Sequence, residues 1–183
     1  MGPKDFRSRI ESAVLSSLFA GLTAALSYVA IPLPVSPVPV TGQTLGIMLA
    51  GLVLGPWWGA VSAGVYLAIG ALGFPVFAGG RAGLGVLAGP TGGYLLGFVA
   101  GAWVTGLAAS SRKPNLWTRV GAAILGGVGV VHLAGSLWLA EVTHRSLGQA
   151  FAIGSAPYIP GDLLKALASA AVAGRLRRIR RRY

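Results

Sequence analysis

Six predominantly apolar stretches run along the chain, separated by breaks of proline, glycine or charge. The first covers residues 11–31 and ends at Pro32, Pro34, Pro37 and Pro39, which cannot continue a helix. The segment holding them is expected to be an extended loop. The second, residues 41–54, is short and stops at Gly55-Pro56; the third is residues 57–73. A Gly- and Pro-rich connection over 74–90 follows, then a fourth stretch at 91–109 and a polar turn from Ser110 to Asn115. The fifth runs over 116–139, a loop carries Glu141, His144 and Arg145, and the sixth is residues 157–174. A helix needs roughly 20 apolar residues to cross a bilayer. The pattern therefore predicts an all-α integral membrane protein, with six transmembrane helices in a single domain over 1–183.

Composition agrees. Charged residues make up 10% of the chain, against about 25% in ordinary soluble domains, and hydrophobic residues make up 54%. The net charge of +11 raises the question of nucleic acid, but its placement answers it. Six of the fifteen basic residues fall in a tail over 175–183, where they read as anchors against anionic lipid. Nucleic-acid binding would also need a recognition fold, and none is visible. With six spans, twelve basic residues share the side that holds both ends, and only Arg81 and Arg145 face the other. Such asymmetry places both termini in the cytoplasm. The stretch behind the N-terminal basic flank is too long for a signal-peptide core and is expected to be retained. No cysteine is present, which excludes disulfides, iron–sulfur clusters and thiol catalysis.

The chemistry concentrates in Tyr158-Ile159-Pro160-Gly161-Asp162-Leu163-Leu164-Lys165. Asp162 and Lys165 are three apart, on one face of a helix. Ionisable residues in a membrane segment are costly and face the bundle interior, a cavity or a partner. Two readings stand: a self-neutralising local pair, or a pair that faces a pocket and holds a small polar ligand.

A second informative stretch is Gly79-Gly80-Arg81-Ala82-Gly83-Leu84-Gly85-Val86-Leu87-Ala88-Gly89-Pro90-Thr91-Gly92-Gly93-Tyr94. Its Gly83-x-Gly85-x-x-Ala88 mimics a dinucleotide fingerprint but lacks the strand and βαβ unit that motif requires. Gly85 and its neighbours are better suited to tight backbone turns and close approach to a ligand. Arg81 is either a solvated loop charge or a guanidinium offered to a carboxylate. On the first stretch Ala20 and Ala24, with Gly21 and Ala25 beside them, form a small-xxx-small strip. Such strips allow close helix packing, within the chain or against a partner. His132 lies mid-stretch with no carboxylate or second histidine at metal spacing, so it reads as a packed or hydrogen-bonded histidine. The four acids are scattered, no nucleophile signature is present, and neither a catalytic nor a metal site nor a cofactor is expected.

Several of these residues carry a resemblance. Pro37-Val38-Pro39-Val40-Thr41-Gly42-Gln43-Thr44 with Leu49–Pro56, Phe77–Gly80 with Gly83–Leu95, and Ile159–Lys165 resemble the biotin-specific S-component family, BioY. The similarity spans residues 18–170 in unchanged order. It implies a six-helix, S-component-like bundle of an energy-coupling factor (ECF) transporter in a prokaryotic plasma membrane. Biotin would be the transported ligand, a transmembrane coupling (T) subunit and two cytoplasmic ATPases the partners. The Ala20/Ala24 strip would be the docking surface. Biotin's ureido N–H groups need acceptors and its carboxylate a cation; Asp162 would serve the first and Lys165 or Arg81 the second. Tyr94 and Gln43 would complete the polar shell, with glycine backbone such as Gly85 against the ring. An S-component for another small vitamin, or a membrane enzyme or partner-binding membrane protein, are the alternatives.

Overall fold

In a computed structural model, residues 3–34, 36–111 and 114–180 are described, the side chains of 3–5 and 177–180 excepted. The basic positions Arg112, Lys113, Arg181 and Arg182 lie outside the described residues, as do the side chains of Lys4, Arg177, Arg178 and Arg180.

The six apolar stretches form α1 (Pro3–Ser27), α2 (Gln43–Leu54), α3 (Pro56–Ala71), α5 (Gly92–Ala108), a continuous rod, and α9 (Ile159–Arg180). The rod consists of α6 (Leu116–Ala123), a π-helical segment (Ile124–Val130) and α7 (Val131–Thr143). Two short helices are added, α4 (Leu84–Ala88) and α8 (Leu147–Gly154). Of these, Phe6–Ser27 and Leu116–Thr143 are long and apolar enough to cross a membrane by that measure alone.

Three boundaries differ from the sequence reading. The proline-rich segment, expected as an extended loop, is extended but paired, as an antiparallel hairpin of β1 (Ala30–Leu33) with β2 (Ser36–Thr41). In a two-stranded sheet each strand is an edge, where a proline's missing N–H need not break the ladder. Residues 141–146 do not lead straight to the last helix. Glu141 belongs to α7, His144 ends it in the left-handed conformation (φ 53°), and α8 follows. Ser146 and Gln149 close a capping box at the start of α8, each side chain bonding the other's backbone N–H. Finally, residues 175–180 continue α9 as helix instead of forming a separate tail.

Helix α5 lies at the centre and packs on α2, α3, α7 and the π-helical segment. One core cluster joins Ile47, Tyr66, Phe77, Phe98 and Leu139; a second joins Met48, Leu52, Val128, Ala166 and Ala170. The distribution of polarity is inverted relative to a water-soluble bundle. Leu18, Leu72, Trp117 and Leu164 are exposed, whereas Ser16, Thr23, Ser27, His132 and Asp162 are buried. An apolar exterior around polar, hydrogen-bonded interior groups suits a hydrocarbon solvent.

The strip on α1 faces inward. Ala20 is buried at 2% exposure and Ala24 packs against the same core, so both meet α1's own neighbours. Of the two readings of this strip, packing within the chain accounts for Ala20, while Ala24 stays partly exposed beside it. Gly21 and Ala25, one position on, remain exposed.

Candidate ligand-binding site

A cavity opens between the hairpin, the 77–94 segment, α2, α7 and the start of α9. It holds about 570 Å³ of unfilled space, counting its open mouth. Val38, Pro39, Phe77, Leu95, Phe98 and Val131 make an apolar wall. Gln43, Thr44, Tyr94, His132, Asp162 and Lys165 supply the polar groups.

Local sequence explains how each polar side chain arrives. Pro160 stands at the second position of α9, where its missing N–H costs no helical bond. Asp162 then falls in the first turn, with its own N–H bonded to the Tyr158 carbonyl at 2.9 Å. Lys165 follows one turn later on the same face. On the other side, the π-helical segment immediately precedes α7. An i→i+5 stretch adds residues to a turn, so later side chains are rotated relative to an uninterrupted α-helix. Gly126 permits it to lie against α5: a Cβ there would sit 2.2 Å from Thr105 Oγ1 and 2.3 Å from the Gly101 carbonyl.

Asp162 is the hub. Its Oδ1 accepts from Thr44 Oγ1 at 2.7 Å and from Lys165 Nζ at 2.7 Å. Its Oδ2 lies 2.8 Å from His132 Nε2. Lys165 Nζ also donates to the Thr41 carbonyl and, at 3.2 Å, to Thr44 Oγ1. All three ammonium donors thus have acceptors in the chain. Asp162 is 3% exposed and His132 5%, so these are contacts shielded from solvent. A buried charge needs this degree of satisfaction, because an unpaired one is strongly destabilising.

The remaining polar wall is similarly engaged. Tyr94 Oη donates to the Gly154 carbonyl at 2.6 Å and lies 3.2 Å from Ser155 Oγ. Gln43 Nε2 donates to Tyr66 Oη, and Gln43 Oε1 accepts from Thr41 Oγ1 at 3.1 Å. Tyr158 Oη donates to the Val38 carbonyl, which ties the hairpin to the segment before α9.

The structure therefore brings Asp162, Lys165, Tyr94 and Gln43 to one cavity and leaves two expected residues outside its lining. Arg81 is exposed, its Nε donating to the Ala78 carbonyl at 3.3 Å. Positive φ at Gly79, Gly80 and Gly83 folds this segment tightly, and the Phe77 N–H bonds the Arg81 carbonyl at 2.9 Å. The turn points Phe77 inward, and it is Phe77 and Ala78, not Arg81 or Gly85, that line the cavity. Thr44 and Tyr158 are lining residues that sequence reasoning did not single out, and His132, read there as a packed or hydrogen-bonded histidine, also lines the cavity. The spacing of 30 between His132 and Asp162 carries no local pattern, so no short motif announces their contact. Among the described residues no cluster of histidine, cysteine and acidic side chains could hold a metal ion.

Comparison with known proteins places this geometry. The Rhizobium etli protein named biotin transporter BioY is 42% identical over 166 residues, covering 86% of this chain and 88% of that protein. The Rhodobacter capsulatus protein of the same name is 44% identical over 174 residues, covering 88% and 90%. A crystal structure of the S-component for biotin from an ECF-type ABC transporter superposes with a TM-score of 0.87. Its sequence is 29% identical, and the match covers 97% of this chain and 95% of that one. The BioY family profile matches residues 3–182. With its helical fold, lipid-suited exterior and near-complete match, the chain belongs to the BioY family of multi-pass membrane transport proteins.

Proposed function

We propose that this chain captures biotin from outside the cell and delivers it inward as the S-component of an ECF-type transporter. The observation that carries the reading is the mostly apolar cavity, which ends on the buried Asp162–Lys165–Thr44–His132 cluster. Biotin has a matching shape: a neutral bicyclic urea head, an apolar valerate chain and a terminal carboxylate. The cluster is internally charge-balanced, with one carboxylate beside one ammonium. A neutral head that brings N–H donors suits it better than a second carboxylate placed against Asp162. The urea therefore goes to the cluster, the ring and chain to the apolar wall, and the carboxylate toward the mouth.

Six passes with both termini cytoplasmic follow from the placement of twelve of the fifteen basic residues on one side. The membrane is the prokaryotic cell membrane. The chain has no phosphate-binding loop, so the energy for release comes from a transmembrane coupling subunit and two ATPases. It performs no catalysis of its own.

Equilibrium binding of labelled biotin to the purified, detergent-solubilised chain tests this. Saturable binding at submicromolar ligand is expected. Its absence, in protein that remains folded, overturns the reading.

A further inference from the structure

Most donors and acceptors of the cluster are already engaged within the chain. Lys165 has spent three donors, on Thr41, Thr44 and Asp162. The Thr44 hydroxyl donates to Asp162 and accepts from Lys165. Asp162 already takes two bonds at Oδ1 and one at Oδ2. His132 is different. Its Nε2 faces a carboxylate, which only accepts, so Nε2 carries a proton, and with the ring as a single-proton imidazole Nδ1 is the acceptor. Nδ1 is buried and has no partner among the described residues. The ring itself stands edge-on to Tyr94, with centroids 6.0 Å apart, in the cavity wall. A buried acceptor left unmatched is costly unless something arrives to satisfy it.

We infer that His132 Nδ1 is a ligand-contacting acceptor that takes one urea N–H of biotin, and that Asp162 is the positioning residue behind it. This rests on the biotin reading above and adds to it. The Asp162 carboxylate holds the imidazole tautomer through Nε2, as a carboxylate does for a metal-bound histidine. Thr44 and Lys165 hold the carboxylate in turn. The carboxylate is then largely a fixed part of the scaffold, and discrimination for an N–H donor lies in the imidazole.

The test is a pair of affinities measured on two proteins. His132→Gln keeps a side-chain N–H that can reach Asp162 but has no acceptor at the Nδ1 position. Its affinity for biotin should fall about ten- to a hundredfold, the effect of one lost bond to a buried group. For the biotin analogue methylated at whichever urea nitrogen the wild type tolerates less, the further loss should be small, since that bond is already gone. Wild-type affinity in His132→Gln, or an equal loss for biotin and analogue, overturns the assignment. No biotin binding by the wild type overturns the biotin reading instead.

A second measurement needs no variant at the site. The chain has two histidines. Nitrogen NMR of the histidine-labelled protein, with His144→Gln for assignment, isolates His132. Adding biotin should move the unprotonated ring nitrogen; an unmoved resonance at saturating biotin overturns the proposal.

Discussion

Lys165 Nζ donates to the backbone carbonyl of Thr41, so the second turn of α9 holds the last residue of β2. The hairpin that covers the cavity is thereby tied to the same side chain that neutralises Asp162. Replacing Lys165 with Met should act in two places at once. The hairpin loses an anchor, and the buried carboxylate loses its ammonium partner. Removing one partner of a buried pair costs about 3–5 kcal/mol; the partial exposure of Lys165 puts the expected loss at the lower end. Thermal unfolding in detergent reads the stability, and biotin titration reads the site.

Tyr158→Phe separates these effects. It deletes only the hydroxyl that donates to the Val38 carbonyl. The expected cost is about 1 kcal/mol, with faster biotin dissociation because the hairpin is less firmly held. An unchanged off-rate measured by ligand chase would show that this bond does not restrain the cover.

Asp162→Ala should be more damaging than either. It leaves the Lys165 ammonium and His132 without their common acceptor, and the imidazole tautomer without its guide. Biotin affinity is expected to fall at least tenfold, together with a lowered melting temperature. Loss of stability with unchanged affinity would assign the residue to the scaffold alone.

The ends of the ligand can be told apart with a neutral derivative. If the urea meets the cluster and the carboxylate lies toward the mouth, biotin amide should bind within about tenfold of biotin, as a partly solvated charge contributes about 1 kcal/mol or less. A loss of a thousandfold or more would reverse the orientation.

Gly126→Ala tests the π-helical segment. The new Cβ would strike the backbone carbonyl of Gly101, which cannot rotate away as a side chain can. Overpacking of this kind costs about 1–3 kcal/mol, and a shift of the segment should also weaken biotin binding through His132. Gly21→Ala, with nothing within 4 Å of the new atom, is the matched control and should be no less stable than the wild type.

The helices were legible because each is a long apolar run bounded by proline, glycine or charge, and Asp162 and Lys165 were legible because ions stand out in such runs. The hairpin was not. Four prolines argue against helix equally well whether the segment is irregular or a ladder whose strands are both edges. Helix α8 did leave a sign in Ser146-Leu147-Gly148-Gln149, the capping-box spacing. Ala20 and Ala24 illustrate a different limit. Small residues show that helices approach closely, but the side they face depends on where the neighbouring helices lie, and α2 and α3 claim it. Arg81 stood out by charge with two readings open, and three glycines with positive φ turn its loop so that the phenyl ring of Phe77 points inward. His132 needed the tertiary fold, since its partner is 30 residues away on another helix.

Helix α9 is one unbroken rod of 22 residues, about 33 Å at 1.5 Å per residue. Its opening turns grip the hairpin and the acid cluster; its closing turns carry arginines away from them. A body that stiff works as a crowbar. Any force that levers its arginine-bearing end sideways pries at Thr41 and Thr44 in the same stroke, with no joint between to absorb the motion.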